Sequence, residues 1–99
     1  MKKILVALLM LMPAAAFAQD RVIIQKDRRF NPAEVTVRKG DSLTFTNNDE
    51  FIHQIYSDGL FDTDEKAPGQ NLKESFARTG TFEVHCHIHP KMKLVVHVN

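Results

Sequence analysis

A chain of 99 residues, with 13 basic and 12 acidic side chains and 43% hydrophobic residues, is long enough for one domain around one modest core. Its charges are scattered along the sequence and nearly balanced, so nothing in it suggests binding to a phosphate backbone, which needs a clustered basic face. The single cysteine, Cys86, excludes a disulfide within the chain.

At the start, Lys2 and Lys3 precede an apolar run from Ile4 to Met12, and the segment closes with Ala16, Phe17 and Ala18. This is the pattern of a secretory signal with an A-x-A cleavage site. The apolar run falls well short of the roughly 20 residues that a spanning helix needs. Residues 1–18 are therefore expected to be removed on export to the periplasm, leaving one domain at 19–99 with no membrane span. Without Lys2 and Lys3, 11 basic side chains remain against 12 acidic ones, a formal charge of −1. In an oxidising compartment a lone thiol is a hazard unless it is buried or capped by a metal, so Cys86 asks for an explanation.

Short β-patterned runs follow. Arg21 to Lys26 (R-V-I-I-Q-K) reads as a first strand, broken by Phe30, Asn31 and Pro32. Val35 and Val37 alternate with polar neighbours over 34–38, Lys39-Gly40-Asp41 supplies a turn, and Leu43 and Phe45 alternate over 42–46. Phe51 to Ser57 reads as a strand carrying His53, and Asp58 to Gln70 as a long polar loop in which Leu60 and Phe61 fold back on the core. The turn at Arg78-Thr79-Gly80 predicts a hairpin between 72–77 and 81–85, and Leu94 to Val98 closes the chain as a strand. About seven short strands with almost no helix predict an all-β fold, an antiparallel β-sandwich or barrel. Period two places Phe82, Val84 and Cys86 on the inward face, with Thr81, Glu83 and His85 outward.

Cys86 stands at the end of that strand, followed three residues later by His89 and three after that by Met92. Thiolate, imidazole and thioether form a soft donor set that favours copper over hard cations, and a His2Cys site with a long, weak methionine describes an electron-transfer copper centre. The second imidazole has to come from elsewhere, and His53 is the candidate. Singly, each residue has a plainer reading: a buried apolar cysteine, a packed histidine, a methionine filling a gap in the core.

F-N-P-A-E-V-T-V-R-K-G-D, N-N-D-E-F-I-H, L-F-D-T, A-P-G-Q and T-G-T-F-E-V-H-C-H-I-H-P-K-M occur in that order over nearly all of residues 19–99. In these segments the chain resembles the cupredoxins, the small blue copper proteins, and among them the bacterial amicyanin and plastocyanin-like branch with its short Cys-x-x-His-x-x-Met loop. The resemblance implies a Greek-key sandwich holding one type 1 copper ion, with His53, Cys86 and His89 as equatorial ligands and Met92 as the weak axial one. It also implies a monomeric one-electron carrier, not an enzyme, that cycles between Cu(I) and Cu(II). A redox protein would dock transiently near His89, beside Ile88, Pro90 and Phe51. Lys91 and Lys93 point to acidic character in that partner. Two departures bear on tuning: Gln54 stands where the family commonly has an asparagine that bonds across to the cysteine loop, and Lys93-Leu94 replace a glycine usually found after the methionine.

His85, His87 and His97 read as surface residues, with capture of a second metal ion as the alternative. Copper binding for tolerance or delivery uses the same four ligands and is the main rival to electron transfer. A nucleophilic Cys86 with His89 as base is disfavoured, because the motif offers no orienting acid and Met92 would have no role.

Overall fold

The structure is a computed structural model that describes residues 20–99; the expected leader at 1–18 lies outside the described residues. Nine strands run in chain order: β1 (Asp20–Lys26), β2 (Arg29–Asn31), β3 (Glu34–Val37), β4 (Ser42–Asn47), β5 (Ile55–Ser57), β6 (Phe61–Asp62), β7 (Asn71–Ser75), β8 (Gly80–Cys86) and β9 (Lys93–Val98). They form two sheets, ordered β2-β1-β4-β7 and β3-β9-β8-β5-β6. The sandwich expected from the strand pattern is present, with nine strands in place of seven. Each sheet is mixed, because β1 pairs β4 and β3 pairs β9 in parallel while the other pairings are antiparallel. No described helix is long and apolar enough to cross a membrane.

Alternation builds the core. Leu43 and Phe45 of β4, Val84 and Cys86 of β8, and Leu94, Val96 and Val98 of β9 are all buried, as are Ile23, Ile55 and Phe76. The inner faces of the two sheets meet through these side chains, as two packed sheets require. Phe45 lies at the centre, edge-on to Phe30 at 6.1 Å between ring centroids and tilted against Phe61 at 6.4 Å.

The two strands missed in the sequence have local causes. Asp27 and Arg28 both adopt left-handed φ angles, 54° and 55°, so the chain reverses in two residues and Arg29 pairs with Lys26. Such a turn is usually made by Asn-Gly or Asp-Gly, and Asp-Arg conceals it. Phe61 and Asp62 lie inside the long polar segment and pair with Ser57 and Tyr56.

Two expectations are corrected. The strand foreseen over 51–57 is regular only from Ile55, and His53 instead forms an isolated antiparallel bridge with Lys66. The hairpin foreseen between 72–77 and 81–85 does not form. β7 pairs with β4, with Leu72 opposite Phe45, whereas β8 pairs with β9 and β5. Phe76, fully buried, carries the chain across the core between the sheets, and its N–H donates to the Asp41 carbonyl at 2.9 Å.

Phe45→Ala is expected to lower the stability of the fold by about 3–5 kcal/mol in chemical denaturation, since it opens a cavity in the aromatic centre of the core. Val22→Thr, on the exposed face of β1, is expected to stay within about 0.5 kcal/mol.

Candidate metal centre

The hairpin between β8 and β9 carries three of the four foreseen ligands. Cys86 is the last residue of β8, opposite Ile55 of β5, and its side chain is 2% exposed, as strand parity requires. One residue further, the His87 N–H donates to the Gln54 carbonyl at 2.8 Å, so the ladder continues past the cysteine. His89 then opens a tight turn closed by the Met92 N–H donating to the His89 carbonyl at 3.0 Å. Pro90 occupies the second position of this turn, where its fixed φ suits the geometry. Met92 is buried, and β9 starts directly at Lys93 with no room for a further loop residue.

His53 comes from the segment between β4 and β5. Its N–H donates to the Lys66 carbonyl at 3.1 Å and its carbonyl accepts from the Lys66 N–H at 2.7 Å. Asn47, fully buried, braces the same segment: its side-chain amide donates to the Phe51 and Lys66 carbonyls at 2.8 and 2.9 Å, and its Oδ1 accepts from the Asp49 N–H.

These constraints bring three donor atoms together. Cys86 Sγ lies 3.6 Å from His53 Nδ1 and 3.7 Å from His89 Nδ1, and the two nitrogens are 3.2 Å apart. Among the described residues this is the one group of three or more such side chains placed to hold a metal ion. The point equidistant from the three atoms is about 2.0 Å from each, within the ~2.0–2.3 Å range of imidazole and thiolate bonds to a first-row metal.

The residue that sequence reasoning missed is Asp49. Its carboxylate, buried, accepts from His53 Nε2 at 2.9 Å and from the backbone N–H groups of Asp27 and Arg28 at 2.9 and 2.7 Å. The bond places the His53 proton on Nε2 and leaves Nδ1 as a lone pair facing the thiol, the arrangement that fixes a metal-binding tautomer. Burial alone would raise the Asp49 carboxyl. The bonds from the Arg28 N–H, the His53 ring and the Asp27 N–H outweigh it and hold the group below the ordinary aspartate value. His89 is also shifted toward its neutral, ligating form. Burial lowers it, with help from the charges of His53 and Arg28, against a smaller opposing pull from Asp49.

Gln54 departs from the asparagine pattern as expected, since its side chain donates to the Thr63 carbonyl at 3.0 Å. Its backbone supplies the cross-link to the cysteine loop instead. The other histidines point elsewhere: His85 bonds Glu83, His87 bonds Asp62 and stacks on Tyr56, and His97 bonds Glu34. They do not gather a second metal site among the described residues.

Residues 3–96 match the family model of the cupredoxin-like domain, and the chain belongs to that family. Copper is therefore its cofactor, and His53, Cys86, His89 and Met92 are arranged as a type 1 copper site. The chain is similar to the chloroplastic plastocyanin of Tetradesmus obliquus, 35% identical over 72 residues covering 61% of this chain and half of that protein. It is 30% identical over 76 residues to the plastocyanin of Scenedesmus fuscus, covering 61% of this chain and 74% of that one. Among solved structures, a methionine-to-alanine mutant of amicyanin in its Cu(I) form superposes with a TM-score of 0.75 at 22% identity, over 81% of this chain and 82% of that one. A copper-containing nitrite reductase from Thermus scotoductus superposes at 0.73 and 21% identity over 81% of this chain, which spans only 22% of the enzyme. The fold thus occurs both alone and as part of an enzyme.

Because the Asp49 carboxyl is held below its unfolded value, its bonds contribute stability that is complete above the ordinary carboxylate range and lost as pH falls through the folded value. Asp49→Asn in the metal-free protein is expected to cost about 1–3 kcal/mol at pH 7, the scale of a buried charged hydrogen bond. The difference from the parent is expected to narrow steadily below about pH 4 in urea unfolding.

Proposed function

We propose that this protein is an exported one-electron carrier in which His53, Cys86 and His89 hold a single copper ion and Met92 interacts with it weakly. The observation that supports this most directly is the triangle of Sγ and two Nδ1 atoms, 3.2 to 3.7 Å on a side and already assembled by the polypeptide. When bound, copper would supply the Cu(I)/Cu(II) couple. The chain's own part is to hold three donors rigidly, keep water from the thiolate, and leave one ring edge at the surface. A ligand set fixed by the fold rearranges little on gaining or losing an electron.

The route in and out would be His89. It is partly exposed, whereas His53 and Cys86 are buried, and Phe51 lies edge-on to its ring at 5.9 Å. Phe51, Ile52 and Ile88 are 41%, 43% and 44% exposed, an apolar surface suited to a brief encounter with a redox protein. Export to the periplasm rests on Lys2, Lys3, the apolar run and the Ala16-Phe17-Ala18 site. A nucleophilic role for Cys86 is disfavoured by its burial against two imidazoles. His85 and His87 each pair with a separate carboxylate and join no cluster of three ligands among the described residues, which weakens the feature that favoured copper delivery.

Copper-loaded protein is expected to show intense thiolate-to-copper visible absorption and an electron paramagnetic resonance spectrum with narrow copper hyperfine splitting. Cys86→Ser is expected to abolish the visible band, and persistence of the band in that variant would overturn the ligand assignment. His85→Ala and His87→Ala are expected to leave both spectra unchanged.

A further inference from the structure

Arg28 occupies a backbone conformation that its side chain disfavours. Its φ of 55° follows another left-handed residue, Asp27, in a turn where glycine would relieve the strain. The Asp49 carboxylate holds this turn by both N–H groups, and the same carboxylate orients His53. The turn sets the Arg28 guanidinium over the ring of Phe51, 5.0 Å from its centroid, and Phe51 in turn abuts His89. A strained arginine is thus fixed at the rim of the surface through which His89 reaches solvent.

It is not alone there. One groove is lined by Arg28, Arg29 and Lys91 together with Ile88, His89 and Pro90, and an adjoining one adds Lys93. Asp27 is the only carboxylate lining either groove. Among the described residues none of these four cations is paired with a carboxylate, although His85, His87 and His97 on other parts of the surface each are. The chain as a whole is close to neutral, so this end carries an unbalanced positive rim around an apolar centre.

We infer that the Arg28, Arg29, Lys91 and Lys93 rim docks a redox protein whose own electron-transfer edge is ringed by carboxylates, with Arg28 held in place by Asp49. The inference rests on the electron-carrier reading and names the class of partner. Opposite charge at the rim raises the rate of encounter and fixes its orientation, while the apolar centre makes the short contact across which the electron passes.

The test compares oxidation of the reduced, copper-loaded protein by two c-type cytochromes of similar potential, one with an acidic and one with a basic haem edge, with hexacyanoferrate(III) as a small reference oxidant. The acidic cytochrome is expected to react faster, with a rate constant that falls roughly threefold or more between about 10 and 200 mM salt. Arg28→Glu and Arg29→Glu are each expected to slow it by roughly 3- to 10-fold at low salt, with the visible spectrum unchanged and with the rate toward hexacyanoferrate(III), a like-charged small oxidant, serving to correct for any change in driving force. Arg21→Glu, which makes the same charge change at the far end of β1, is expected to have little effect. Arg28→Gly guards against misfolding of the turn: it is expected to raise thermal stability while still slowing the acidic cytochrome. A faster reaction with the basic cytochrome, or equal effects of Arg21→Glu and Arg28→Glu, would overturn the docking surface alone. Absence of electron exchange with all three oxidants would overturn the carrier reading and the surface with it.

Discussion

A cysteine sulfur and two imidazole nitrogens, held within 3.7 Å of one another, form a compact triangle of soft donors. The carboxylate on His53 Nε2 keeps the Nδ1 lone pair of that ring facing inward, while a proton on Cys86 Sγ or on His89 can bridge the donors in the metal-free chain. A cation at the centre would replace those protons and use all three lone pairs. The rest of the structure maintains this geometry: β8 delivers Cys86 to the end of a core strand, the turn at Pro90 returns the chain through His89 and Met92, and the Lys66 bridge clamps His53 from the other side.

Asp49 connects three levels of the molecule. At the backbone it stabilises two consecutive left-handed residues, in the packed interior it selects the His53 tautomer, and at the surface it fixes the turn that carries Arg28. Its buried negative charge beside the copper ligands would also favour Cu(II) over Cu(I) when the metal is bound, so one side chain would bear both on the potential of the site and on the turn that carries Arg28. Such sharing suits a domain of this size, which has few residues to spare for separate structural and functional roles.

The ligands were legible in the sequence because their positions follow from short-range rules. Strand parity from Phe82 and Val84 turned Cys86 inward, and three-residue steps reached His89 and Met92. The sandwich was legible for the same reason, since alternation at Val35, Leu43, Phe45 and Leu94 is a local signal. Long-range choices were not. The turn at Arg78 to Gly80 resembles a hairpin turn, but nothing local records that Leu72 pairs with Phe45 in the other sheet. Asp49 carries no local signal of its role, because two of its three partners lie 21 and 22 residues away, in a turn whose Asp-Arg sequence conceals it. An acid four residues before the upstream histidine, in N-N-D-E-F-I-H, was the one available hint.

The donor triangle is closed by the polypeptide alone, so the copper site should be assembled before the metal arrives. Crystal structures of the metal-free and copper-loaded protein, with the metal located by anomalous scattering at the copper edge, test it most directly. Copper is expected to bond to His53 Nδ1, Cys86 Sγ and His89 Nδ1, with the three donors displaced by less than about 0.5 Å between the two states, the tolerance of a preorganised site. Copper bound at His85 or His87, or a Cys86 to Met92 loop that takes up its fold only on loading, would contradict it.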